Sequence, residues 1–263
     1  MIALKKLRVR FALMAVSAST TMLVGCGTAQ IRTIAVQGTR ANQGPTSVEI
    51  HNVRGDVRVI VDPKRTEPKI TVLFRHDSFV TRITRERAFR AAPVAASYEQ
   101  REGGVLLKVW TDAVRGNLPS LTTDLTVRIP ACADVTIRTA GGDVEVIGAN
   151  GAVDIVVDTN DGRSVSIVYR TDAAITDRVV IRTNSGNILF NPGEGSTGRF
   201  VLTSGSGGAE FDVKAGKVSD VVLSDTARWE GVLNGGENSI TLHSDKGTVR
   251  MKMRRSRGKP RGS

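Results

Sequence analysis

The sequence predicts an all-β protein, built as a right-handed parallel β-solenoid with coils of about 21 residues. An antiparallel β-sandwich is the alternative. The composition supports both, because 27 glycines and abundant Val, Ile and Thr accompany only 4% aromatic residues, which favours strands and tight turns over helices. A repeated phrase, apolar-x-(Thr/Ser/Asn)-x-x-Gly-x-apolar-x-apolar, supports the solenoid. One copy cannot bury its apolar face alone, so stacked copies would share a continuous core.

The repeated phrase has six consecutive copies, spaced by 19 to 24 residues, and one outlying copy near the N-terminus. The copies begin at Ile50, Ile137, Val157, Ile181, Leu202, Leu223 and Leu242. The turn glycine of the clearest copies is Gly142, Gly186, Gly207 or Gly247. A glycine that recurs at one position predicts a turn that needs a positive φ angle or a close backbone approach. In the copy that begins at Leu223, Arg228 replaces this glycine.

A polar residue recurs two positions after the start of each copy. The residues concerned are Asn52, Thr139, Thr159, Thr183, Ser204 and Ser244, with Asp225 in the copy that begins at Leu223. In a stack of coils, such side chains would form a ladder that hydrogen-bonds backbone groups of the turns. No general base recurs beside these residues, so the pattern predicts a structural ladder rather than a row of nucleophiles.

Residues 1–25 are typical of a lipoprotein signal peptide. A basic start precedes about 14 mostly apolar residues, which are too few to span a bilayer. The leader ends in Leu23-Val24-Gly25-Cys26, which resembles a bacterial lipobox. The resemblance implies cleavage after Gly25 and acylation of Cys26, with an acyl anchor that holds the protein to the extracytoplasmic side of the cell membrane or envelope. The alternative is an ordinary secretory leader with a chance cysteine.

Composition divides the rest of the chain into four further segments, one of which contains an insertion. Residues 26–46 are polar and contain glycine and proline, which predicts a lipidated tether. Residues 47–130 predict an N-terminal β region or cap, interrupted at 76–103 by a helix or an inserted loop. Residues 131–253 contain the repeats and predict the solenoid. Residues 254–263 contain no apolar residue and predict a disordered basic tail.

One stretch of the repeats carries a family resemblance. Leu125–Pro130 forms a strand that ends in proline, and Asp134–Val146 continues with the strand–turn–strand phrase. This resembles the bacterial putative-adhesin domain of unknown function, well over 125–253 and loosely over 47–75. The resemblance implies a lipid- or membrane-anchored β-solenoid of the cell envelope. It supplies no catalytic residues.

The formal charge of +11 is concentrated at the two ends of the chain. Removal of the leader lowers it to +7, and five of the remaining basic residues lie in the tail. These are Arg254, Arg255, Arg257, Lys259 and Arg261. They predict binding to anionic lipid headgroups or cell-wall polymers, with a solvated solubilising end as the alternative. No nucleic-acid partner is expected, because no aromatic residues are interspersed for base stacking.

Residues that could carry chemistry are scattered. Cys132 has no histidine near it in sequence and is expected to pack as a buried apolar side chain. Gly193–Gly198 matches G-x-G-x-x-G, but a strand rather than a helix follows it. Asp158–Gly162 resembles the start of a calcium loop, but Tyr169 occupies the position of the final carboxylate.

The histidines also fit no known metal motif. They are His51, His76 and His243. His51 and His243 share the outward position after the first residue of a repeat, so surface strand positions explain both. We therefore expect no catalytic residue, cofactor-binding residue or metal ligand, and the lipid-attachment residue Cys26 is the only predicted site.

These observations predict a non-enzymatic, lipid-anchored envelope protein that provides a surface for adhesion or scaffolding, with a protein partner that the sequence does not identify. A carbohydrate-active solenoid enzyme is the first alternative, and its candidate carboxylates are Asp143, Glu145, Asp154 and Asp158. An accessory of membrane-stress signalling is the second.

Overall fold

The computed structural model describes residues 29–38, 45–76, 94–111, 121–160 and 162–253. These residues form 19 strands and no helix, so the prediction of an all-β protein is confirmed. No helix among them could cross a membrane. The strands are β1 (Ala29–Ile34), β2 (Thr46–Asn52), β3 (Val57–Val61), β4 (Lys69–His76), β5 (Val94–Arg101), β6 (Gly104–Thr111), β7 (Leu121–Ile129), β8 (Val135–Thr139), β9 (Val144–Ile147), β10 (Val153–Val157), β11 (Val165–Arg170), β12 (Val179–Thr183), β13 (Gly186–Asn191), β14 (Gly198–Ser204), β15 (Ala209–Val213), β16 (Val218–Asp225), β17 (Arg228–Leu233), β18 (Ser239–Ser244) and β19 (Val249–Met253).

The strands form two sheets that share one core. The nine-stranded sheet has the order β1-β4-β7-β3-β9-β11-β13-β19-β15, and the ten-stranded sheet has the order β16-β17-β14-β18-β12-β10-β8-β2-β6-β5. Most strands alternate buried and accessible residues, as β8 does with Val135 and Ile137 buried. The buried side chains of both sheets belong to a single apolar cluster, which therefore fills the space between the sheets.

Each clear copy of the repeated phrase forms one layer of the stack. Its first strand joins the ten-stranded sheet, and its second strand joins the nine-stranded sheet after the glycine turn. Neighbouring layers pair in parallel and in register, so that the first residues of the copies are aligned across the sheet. In spatial order these are Ile50, Ile137, Ile155, Ile181, Leu242 and Leu202.

This register corrects one copy of the repeat. Ile155, rather than Val157, is aligned with Ile137, so the copy begins two residues earlier than the sequence suggested. Thr159 therefore lies beyond the end of β10. It is nevertheless buried, and its Oγ1 donates a hydrogen bond to Asn184 Oδ1 at 2.9 Å.

A purely parallel solenoid is not confirmed, because both sheets are mixed. The antiparallel pairs are β1–β4, β4–β7, β5–β6, β14–β17 and β16–β17. The layers also depart from chain order, since β18 lies between β12 and β14. The copy that lacks its glycine accounts for some of the antiparallel pairing. Its strands β16 and β17 form an antiparallel hairpin within one sheet and do not cross to the other sheet. Arg228, which replaces the glycine, begins β17.

Two segments that the sequence predicted as a tether and as a helix or loop contain strands. Within the tether predicted at 26–46, Ala29–Ile34 forms β1, which pairs with β4, and its alternating side chains explain why it joins a sheet. Within the helix or loop predicted at 76–103, Val94–Arg101 forms β5, which pairs with β6. The leader, Cys26 and the basic tail lie outside the described residues, as do residues 77–93.

The turns between the two strands of a layer explain the recurring glycine. Gly186 has a φ of +139°, and a Cβ atom at this position would lie 2.1 Å from the carbonyl oxygen of Val165 in the next layer. At Gly247, with a φ of +143°, a Cβ atom would lie 2.1 Å from the carbonyl oxygen of Gly186. Any larger residue would push neighbouring layers apart, so the glycine turn is a condition of stacking.

The polar ladder is confirmed for residues that point into these turns. Ser244 Oγ donates a hydrogen bond of 2.6 Å to the Gly186 carbonyl, and Ser204 Oγ donates one of 2.7 Å to the Gly247 carbonyl. Thr139 Oγ1 donates to a carbonyl of its own turn at 2.8 Å. Because these hydroxyls are buried, the bonds satisfy turn carbonyls that would otherwise lack water.

Candidate binding surface

Seven outward-facing residues form a row across the ten-stranded sheet. Parallel pairing aligns their backbones from one strand to the next, so the row runs along the stack. In order from β6 to β14 it consists of Trp110, His51, Arg138, Val156, Arg182, His243 and Thr203. Because neighbouring strands lie about 4.8 Å apart, this outer row is roughly 29 Å long.

A groove with a volume of about 350 Å³ borders the outer row at the C-terminal ends of β6, β2, β8 and β10. His51, Arg138 and Val156 of the outer row line it, and Asp158 and Asn160 line it from the turn after β10. Both turn residues are exposed, and neither side chain makes a hydrogen bond or ion pair with another described residue. The groove therefore offers a carboxylate and an amide with hydrogen-bonding capacity to spare.

Buried polar side chains fix the floor of the groove. Thr111 Oγ1 donates to Asn52 Oδ1 at 2.8 Å. Asn52 Nδ2 in turn donates to the carbonyl oxygens of Gly55 at 2.9 Å and Thr123 at 3.0 Å. Since Asn52 is 2% exposed, these bonds hold its amide in one orientation, and the floor of the groove is fixed.

Arg138 and both histidines of the outer row lie beside carboxylates, whereas Arg182 has no carboxylate partner among the described residues. Arg138 Nη2 contacts Asp154 Oδ2 at 2.5 Å, His51 Nε2 lies 3.0 Å from Glu49 Oε1, and His243 Nε2 lies 2.8 Å from Asp245 Oδ1. Farther along the same face, the Nζ of Lys108 lies 2.7 Å from Glu99 Oε2, and this partner lowers the pKa of the Glu99 carboxyl. The surface is therefore strongly polar with little excess of either charge.

The four carboxylates considered for catalysis do not converge. Asp143 and Glu145 belong to the nine-stranded side, where Asp143 Oδ1 accepts a hydrogen bond from the Ser166 amide at 2.7 Å and Glu145 Oε2 lies 2.6 Å from Arg58 Nε. Asp154 and Asp158 belong to the ten-stranded side. The candidate patch is thus divided between opposite faces. Within the described ranges, no three His, Cys, Asp or Glu residues are placed to hold a metal ion.

Cys132 is a core residue, as its sequence context predicted. It is 3% exposed, and burial raises the pKa of its thiol to about 12. Its Sγ donates to the Asp134 carbonyl at 3.3 Å. The neighbouring core phenol of Tyr169 donates to the Ala149 carbonyl at 2.7 Å, and burial raises its pKa as well. A protonated, enclosed thiol is a poor nucleophile.

The glycine-rich segment Gly193–Gly198 is a turn before β14. Ser196, which is fully buried, closes this turn by donating from its Oγ to the Gly193 carbonyl at 2.7 Å. Its Oγ also accepts a hydrogen bond from the Ile175 amide at 2.8 Å. The turn thus bonds its polar groups to itself and to neighbouring turns of the fold, and it leads into a strand, which agrees with the structural interpretation.

A second exposed surface lies at the edge strand β16. Val221, Val222 and Leu223 are 46%, 55% and 52% exposed. Because β16 is the last described strand of the ten-stranded sheet, its outer backbone groups pair with no other described strand.

The repeat pattern predicted that His51 and His243 face outward, but it did not predict Trp110, Arg138 or Arg182 as their neighbours. The repeats contained part of the signal, since Arg138 and Arg182 follow the first residue of their copies just as the two histidines do. Trp110 lies outside the repeats, and only the pairing of β6 with β2 places it beside His51.

Comparison with known proteins identifies a solved structure with the same fold. No family model and no curated protein matches this sequence. A putative cell adhesion protein from Clostridium sporogenes is similar in structure, with a TM-score of 0.57 and 7% identity over 86% of this chain and 99% of that protein. This similarity shows a shared fold.

Two further solved structures align less well. A putative adhesin from Bacteroides fragilis has a TM-score of 0.34 and 11% identity over 86% of this chain and 97% of that protein. A putative lipid binding protein from Parabacteroides distasonis has a TM-score of 0.23 and 10% identity over 88% of this chain and 96% of that protein. Scores this low carry no argument about the chain.

Proposed function

We propose that this protein is a non-enzymatic, lipid-anchored component of the bacterial cell envelope that presents the outer face of its ten-stranded sheet to a binding partner. The outer row carries the proposal, because it is a long, regular and mostly polar surface on strands that pair in register. Division of the candidate catalytic carboxylates between opposite faces supports a binding role over catalysis. The fold that the chain shares with a putative cell adhesion protein is consistent with this role.

The position of β1 defines how the anchor would hold the stack. Cys26 precedes the first residue of β1 by three positions, so a lipid on this cysteine would be attached within about 10 Å of chain length from β1. Strand β1 is an edge of the nine-stranded sheet, and β15 is the opposite edge. At about 4.8 Å per strand, β15 lies roughly 40 Å from the anchored edge. The envelope surface would therefore hold the β1 end closely and leave the β15 end farther away.

Acylation is tested by metabolic labelling with a palmitate analogue. We expect label on the wild-type chain and none on Cys26→Ala, together with release of this variant from the membrane fraction. Cys132→Ala is the matched control, because it removes the chain's other cysteine and should leave the label unchanged. Equal labelling of wild type and Cys26→Ala would refute the lipid anchor.

A further inference from the structure

We propose that the groove and the adjoining outer row bind a linear polysaccharide of uncharged pyranose units. This proposal rests on the proposed binding function and adds the chemical class of the ligand. Its central element is the juxtaposition of an exposed tryptophan, Trp110, with His51 at the rim of a polar groove.

The exposed ring supplies the apolar half of the recognition. Trp110 is 40% exposed on the outer face, although most large apolar side chains of the described residues are buried in the core. The face of an indole ring carries negative charge density. The C–H groups of a pyranose ring carry partial positive charge and form a flat apolar face, so a sugar ring can stack on Trp110 while its hydroxyl groups remain free to bond.

The groove supplies the polar half. Asp158 and Asn160 have hydrogen-bonding groups that no other described residue uses, and the His51 ring has a second nitrogen beyond the one near Glu49. Sugar hydroxyls both donate and accept hydrogen bonds, so they match this mixture of a carboxylate, an amide and an imidazole. The bonded floor at Asn52 does not have to be ordered when the ligand binds, which limits the entropy lost there.

Charge pairing distinguishes an uncharged ligand from an anionic one. A site for phosphate or sulfate would need cations with unsatisfied charge. At the groove, Arg138 is engaged by Asp154. Arg182 has no described carboxylate partner, but it lies two strands beyond Arg138 and does not line the groove. Asp158 would repel an anion from the groove itself. Recognition in the groove must therefore rely on hydrogen bonds and ring stacking.

The shape of the surface indicates a chain rather than a single sugar. From Trp110 the outer row continues through Arg138 and Arg182 to His243 in register across six strands. The spacing of about 4.8 Å between strands is close to the length of one sugar unit along a glycan chain. A linear polysaccharide lying along the row would thus meet one polar side chain at nearly every unit.

The test is retention of the full-length protein, purified in detergent, on chitin and cellulose particles. We expect the wild type to be retained on at least one of them, released by chitohexaose or cellohexaose, and unaffected by 1 M NaCl, where the Debye length is about 3 Å. Trp110→Ala should lower retention by about tenfold or more, as truncation of a central aromatic contact does. Asp158→Ala should also lower it.

Two controls separate binding from folding. Trp110→Phe keeps an aromatic face and should retain intermediate binding, which a folding defect would not produce. Ile31→Ala removes an exposed apolar side chain from β1 and should leave retention unchanged. Failure of wild-type retention on both polymers, equal retention of Trp110→Ala, or loss of retention in high salt would overturn the proposal. Palmitate labelling is independent of all three outcomes, so the lipid anchor would stand or fall separately.

Discussion

Replacement of Gly186 by alanine should strongly destabilise the stack. The φ of +139° at this position is one that side-chain-bearing residues rarely adopt, and such backbone strain costs about 1–3 kcal/mol. The added Cβ atom would also lie 2.1 Å from the Val165 carbonyl oxygen and 2.7 Å from the Val165 amide nitrogen. Because both atoms are backbone, the overlap cannot be relieved by a side-chain rotation.

Relief of this overlap would move a whole layer. Movement of the Gly186 turn would weaken the bond from Ser244 Oγ to the Gly186 carbonyl and the 2.6 Å bond from the Gly186 amide to the Lys246 carbonyl. Each such bond contributes about 0.5–1.5 kcal/mol. With the backbone strain, the free energy of unfolding should fall by about 2–6 kcal/mol, a large part of the 5–15 kcal/mol typical of a folded protein.

Urea denaturation followed by circular dichroism measures this difference. Gly235→Ala is the matched control, because Gly235 also has a positive φ, +70°, but a Cβ atom there would have no neighbour within 4 Å. It should cost about 1 kcal/mol through backbone conformation alone. Equal losses in the two variants would refute the argument that close approach of the layers requires glycine at position 186.

Two further predictions concern pH and the tail. Because burial raises the pKa of Cys132 from 9.0 to about 12, the unfolded chain releases this proton first, and stability should fall by up to about 1.4 kcal/mol per pH unit above pH 9. Cys132→Ala should flatten that slope between pH 9 and 10, below the range in which Tyr169 contributes, and an unchanged slope would contradict the assignment. Deletion of residues 254–263 should leave the melting temperature unchanged and reduce co-sedimentation with anionic but not neutral vesicles at low salt. Equal sedimentation of both chains would leave the tail without a membrane role.

Local features of the sequence predicted much of the layer structure. Alternation of apolar and polar residues predicted the strands of the repeats, because a strand buries every second side chain. The recurring glycine predicted the turns at Gly186 and Gly247, and the residue two positions after the start predicted the buried hydroxyls of Ser204 and Ser244. Each of these properties depends on a few consecutive residues, so a single sequence can reveal it.

The order of the layers could not be read from the chain. The repeat that begins at Leu242 lies between two earlier repeats, because β18 pairs with β12 on one side and β14 on the other. All the layers present similar apolar faces and similar glycine turns, so periodicity does not distinguish one neighbour from another. The choice depends on long-range packing between residues such as Ile181, Leu202 and Leu242.

The sequence by itself predicted an export leader with a candidate acylation site, and it determined β-strands repeated around glycine turns. The tertiary structure alone decided which repeats are neighbours, which face carries the outer row, and that the candidate catalytic carboxylates lie apart. Strand formation follows from local alternation, whereas a binding surface is assembled from residues far apart in the chain. Trp110 and Arg182 join one row only because several strands between them pair in register.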